Sequence, residues 1–83
     1  MRDRQLLMDT LDQARKHVRQ GEEHLANQRK ILEELTRHGH AVEKAKSLLT
    51  TLEHSQRLHI ADRDRIADEL RKAVENDRFG FHL

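Results

Sequence analysis

The side chains in this sequence best able to do chemistry are its seven histidines, since cysteine is absent from all 83 residues. Any metal would therefore have to be held by imidazole and carboxylate. Two histidines flank a glycine in Leu35-Thr-Arg-His38-Gly39-His40, and imidazoles two residues apart in a loop can converge on an ion. Two ligands fall short of the four that a structural site uses, so this pair reads as part of a turn. Carboxylate-bridged di-metal sites in helical bundles need Glu-x-x-His. The residues three before each histidine are Ala14, Gly21, Leu35, Arg37, Thr51, Gln56 and Phe79, none of them a carboxylate. His17 and His24 lie seven apart, on one helix stripe, with Asp62 expected across from His17. They are the remaining metal candidates, and a titrating His17–Asp62 salt link is the simpler reading. His54 is expected to face solvent.

Other catalytic constellations are missing from the sequence. Ser47, Ser55, Thr10, Thr36, Thr50 and Thr51 have no neighbouring histidine with an orienting acid, and Gly21, Gly39 and Gly80 are isolated rather than gathered in a phosphate-binding loop. No enzyme activity and no cofactor are expected. Arg15, Lys16 and Arg19 are the best candidates for contacting nucleic acid. Asp9, Asp12, Glu22 and Glu23 interrupt them, and no aromatic residue is interleaved for base stacking, so nucleic acid is not an expected partner. The formal charge of +1, from 16 basic and 15 acidic residues, gives no whole-molecule field to draw an anionic surface.

The elements that must position these residues follow from composition and period. Charged residues make up 37% of the chain, proline is absent, and Ala, Leu, Glu, Lys, Arg and Gln dominate, which is the composition of long helices. Apolar runs are too short for a membrane span, and the N-terminus shows no apolar signal region, so a cytoplasmic protein is expected. A heptad seam runs through Leu7, Leu11, Ala14, Val18, Gly21, Leu25, Gln28, Leu32 and Leu35. A second runs through Val42, Ala45, Leu49, Leu52, Gln56, His59, Arg63, Ile66, Leu70 and Ala73 in a different phase. The phase break places a reversal at 37–40, where Gly39 can take the positive φ that ends a helix.

The expected fold is all-α: one domain over 1–83, an antiparallel, coiled-coil-like two-helix hairpin. Its first helix is expected over about 3–37, the turn over 38–40, the second helix over about 41–77 and an apolar tail over 78–83. Folding at the turn pairs residue i with residue 77 − i, so that Leu35 faces Val42, Leu25 faces Leu52, Leu11 faces Ile66 and Leu7 faces Leu70. Gly21 then meets Gln56, Val18 meets His59 and Ala14 meets Arg63. Gln56, His59 and Arg63 form a polar layer expected to fix register, each leaning across a small partner toward solvent. One edge sets Glu22 near Glu53 and Arg29 near Lys46, repulsive unless longer diagonals form. The other pairs Ile31 with Leu48 and widens the apolar seam. A lone hairpin buries little, so this face is expected to pack on a second copy as a homodimeric four-helix bundle.

Beyond the second helix, Gly80 is expected to break the chain and leave Phe79, Phe81 and Leu83 as an apolar tail. That tail either covers the open end of the hairpin or docks on another protein. Finally, Gln28-Arg29-x-Ile31, Leu35, Gly39-His40, Ala45, Leu48-Leu49, Glu53, His59 and Asp62-Arg63-x-Arg65 resemble a pattern in small uncharacterised helical-hairpin proteins of alphaproteobacteria. The resemblance covers about half the chain and implies a bacterial, cytoplasmic accessory protein. The function expected from the residues themselves is non-enzymatic: a self-associating scaffold or interaction protein. The alternative is a metal- or pH-responsive module using His17, His24, His59 and Asp62.

Overall fold

The computed structural model describes residues 4–79, with Phe79 described by its backbone alone. Two helices, α1 (Arg4–Arg37) and α2 (Glu43–Phe79), lie antiparallel as a hairpin. The rod measures 65 × 15 × 14 Å, and its radius of gyration of 18.8 Å exceeds the roughly 12 Å of a compact chain of this length.

Gly39 reverses the chain at φ +71°. The Gly39 N–H donates to the Thr36 carbonyl at 3.2 Å and the His40 N–H to the Leu35 carbonyl at 3.0 Å. These two bonds are the Schellman arrangement, which satisfies carbonyls that the helix end leaves open. The second helix starts later than the expected residue 41. Lys46 N–H donates to Val42 O at 2.9 Å, making Val42 the residue that caps α2 with its backbone, and Glu43 places a carboxylate at the positive end of the helix dipole. The helix also runs past the expected end at 77 and takes in Arg78 and Phe79, with the basic Arg78 in its last turn. Phe79 is therefore helical rather than the start of a tail. Phe81 and Leu83 lie outside the described residues.

Both seams are observed as the heptads dictate. Every seam residue of α1 and α2 is buried or half-buried, with Leu7, Leu11, Ala14, Val18, Leu25, Ala45 and Ile66 forming the apolar core. Burial is deepest away from the turn, where Leu11, Ala14 and Ile66 pack together and Ala67 and Leu70 close over them. Leu32, Leu35, Val42 and Leu49, beside the turn, are only half-buried. At the open end Arg4 bonds Asp77 across the helices at 3.4 Å.

Candidate functional site

Three features could carry function: the polar seam, the histidine pairs and the uncharged outer face. In the seam, Gln56 departs from the expectation that it leans to solvent. It is buried and donates from Nε2 to the Val18 carbonyl at 2.9 Å. Its Oε1 occupies the space where a Cβ would stand at Gly21, and no conventional donor reaches that oxygen. A weak Cα–H contact from Gly21 is the interaction this placement permits. Gln28 makes the matching bond from the other helix, donating from Nε2 to the Ala45 carbonyl at 3.1 Å. Each carbonyl keeps its second lone pair for the helical N–H four residues on, so each helix receives one amide clamp without losing a backbone bond. Spacing assigns Gln28 to the seam but does not disclose its role as a clamp. The available signal is a glutamine at a core position of the heptad, where burial obliges its amide to find a partner. Arg63, by contrast, does turn outward and holds Asp64 at 2.9 Å.

The histidines assort differently from the sequence expectation. His17 meets His59, not Asp62: the two rings have centroids 5.6 Å apart at an interplanar angle of 49°. Asp62 is taken by Arg65 of its own helix at 2.7 Å, and the same guanidinium binds Glu69 at 3.0 Å. The hydrogen bond that Arg65 donates to Asp62 chiefly raises the pKa of Arg65 above its ordinary value. His24, one heptad from His17, stands about 10 Å further along the helix. Among the described residues, no three His, Asp or Glu side chains are gathered as one ligand set, so His17, His24 and Asp62 are not brought together. At the turn, His38 and His40 have ring centroids 6.4 Å apart.

The repulsive edge is resolved by a diagonal, since Arg29 reaches Glu53 at 3.9 Å. Along α2 the stripe spaced at i,i+3 and i,i+4 forms a solvated ion-pair network: Arg71 holds Asp68 at 2.7 Å and Glu75 at 2.8 Å, and Lys72 adds a bond to Asp68 at 3.0 Å. Arg71 first, then Lys72, hold the Asp68 carboxyl below the usual carboxylate range. Arg15 has Asp12 within 4.0 Å, and Lys16 and Arg19 line a shallow open groove on α1 together with Asp9, Asp12 and Gln13. The basic residues are thus interleaved with carboxylates in space as in sequence.

The opposite edge is different in kind. Gln20, His24, Asn27 and Ile31 from α1 and Leu48, Thr51, Ser55 and Leu58 from α2 fall on a stretch of this edge without Lys, Arg, Asp or Glu, bounded at His17 by Asp62 and Arg65 of α2. Ile31 is 40% exposed, Leu48 48% and Leu58 58%.

The fold and this face define a class, the antiparallel helical hairpin with one uncharged side. No known protein family, curated protein or solved structure matches the chain.

Proposed function

We propose that this protein is a non-enzymatic interaction or scaffold protein, working as a homodimeric four-helix bundle closed through the uncharged face. The exposure of Ile31, Leu48 and Leu58 on that face carries the reading. They are three of the five large hydrophobic side chains exposed among the described residues, Leu6 and Met8 near the open end being the others, and burying each fully is worth about 1.5–3 kcal/mol. The surface area supports it as well. A compact monomer of 9.8 kDa exposes about 5,200 Å², whereas the hairpin exposes 6614 Å². The excess goes with the rod shape, which leaves a long side for a second copy to cover.

In this reading the charged outer faces, with Phe79, Phe81 and Leu83 at the C-terminal end, are left to meet another protein. A cytoplasmic, bacterial setting belongs to the same proposal; among the described residues no helix is long and apolar enough to cross a membrane. Light scattering tests it. The native chain is expected at about twice its 9.8 kDa mass. Ile31→Glu with Leu48→Glu is expected at the monomer mass, while truncation after Arg78 leaves the dimer intact. A native chain that runs as a monomer at micromolar concentration sinks the reading.

A further inference from the structure

The His17–His59 contact brings imidazoles from the two helices together, with ring centroids 5.6 Å apart and a tilt of 49°. We propose that these two imidazoles form an inter-helix clip for a late first-row divalent ion, Zn²⁺, Ni²⁺ or Cu²⁺. Imidazole binds such ions through nitrogen at about 2.0–2.1 Å, which sets ring centroids on a tetrahedral ion about 5 Å apart. The observed 5.6 Å lies within a small side-chain rotation of that spacing. His17 is exposed and His59 half-buried, so the ion has a path from solvent while one ligand is held by the seam. The nearby charges are already engaged: Arg63 by Asp64 at 2.9 Å and Asp62 by Arg65 at 2.7 Å. With two protein ligands the clip is an exchangeable site rather than a four-ligand structural one, and it leaves two coordination positions to water or to a further donor. It is assembled within one hairpin, beside the face proposed to close the dimer, so the mass of the chain is measured in the same buffer as the melts.

The second histidine pair makes the proposal sharp. His38 and His40 flank one residue of a turn, and the unfolded chain can offer them to an ion almost as well as the folded one. Binding there shifts folding little, because only preferential binding to the native state stabilises. His17 and His59 are 42 residues apart in the chain. An ion joining them closes a long loop that exists only in the hairpin.

Thermal melts of the untagged full chain with and without ZnCl₂ test this. At ten times the dissociation constant the midpoint is expected to rise by roughly 6–11 °C. His38→Gln with His40→Gln keeps that rise. His17→Gln, compared with the native chain at equal mass by light scattering and equal melting point without metal, abolishes it, and so does His59→Gln. No rise in the native chain, or an equal rise in His17→Gln, overturns the clip. Light scattering of the metal-free chain reports the dimer separately, so failure of either proposal is distinguishable from failure of the other.

Discussion

Gln56 and Gly21 are complementary across the helix interface: the amide oxygen of one fills the side-chain space that the other lacks. The relationship predicts a measurable coupling. Alone, Gly21→Ala gains about 1 kcal/mol of helix propensity but forces Gln56 off the Val18 carbonyl, so its net effect is near zero or unfavourable. In a Gln56→Ala background the same substitution stabilises by about 1 kcal/mol, since nothing is displaced. A double-mutant cycle by urea denaturation is expected to return about 1–2 kcal/mol of coupling. Additive effects would contradict the placement of the amide.

Gly39 gives a purely backbone prediction. A Cβ there meets nothing within 4 Å, so the whole cost of Gly39→Ala comes from φ +71°. That cost is about 1 kcal/mol, and Gly39→Asn should lose less, because asparagine tolerates the left-handed region. The denaturation midpoints of the two variants check the order.

Ile66 and Leu58 test burial against assembly. Ile66 is 2% exposed, and Ile66→Ala is expected to cost about 2–5 kcal/mol, a large share of what a chain this size has. Leu58→Ala removes a side chain that is 58% exposed in the hairpin, which in an isolated hairpin changes stability by at most about 0.5 kcal/mol. A larger loss at Leu58 that grows with protein concentration would mark the covered face.

The acid limb of the stability curve should report Asp68. Its folded pKa lies below the unfolded value of about 3.9, so its contribution is fully present above that value and is lost as pH falls through the lower folded pKa. Asp68→Asn is expected to flatten the fall in helicity between about pH 4 and pH 3 seen by circular dichroism. At pH 7 the variant should show a shallower dependence on added salt.

Most of the architecture is legible in the sequence because a heptad phase is a long, redundant signal. Each seam residue from Leu7 to Ala73 falls where its spacing places it, and the glycine that breaks the phase also makes the turn. Side-chain direction is less legible. A seam glutamine can reach for water or for a carbonyl, and which it takes depends on the absent Cβ at Gly21 across the interface. The expected His17–Asp62 link is absent for a similar reason: register brings the two near, but Arg65, three residues from Asp62 on its own helix, makes the shorter bond. Helix length escapes too, since Arg78 and Phe79 can end a helix or extend it by half a turn.

The burial gradient along the rod has a kinetic consequence. Contacts next to the Schellman turn, such as Leu35 with Val42, close the shortest loop and so lose the least chain entropy. The tightest packing, around Ile66, lies at the far end and needs a loop of roughly 55 residues to close. Folding should therefore begin where the helices are held most loosely and finish where they are held best. Ile66→Ala should then leave the folding rate nearly unchanged and appear in the unfolding rate, making the open end the latch that sets how long the hairpin stays shut.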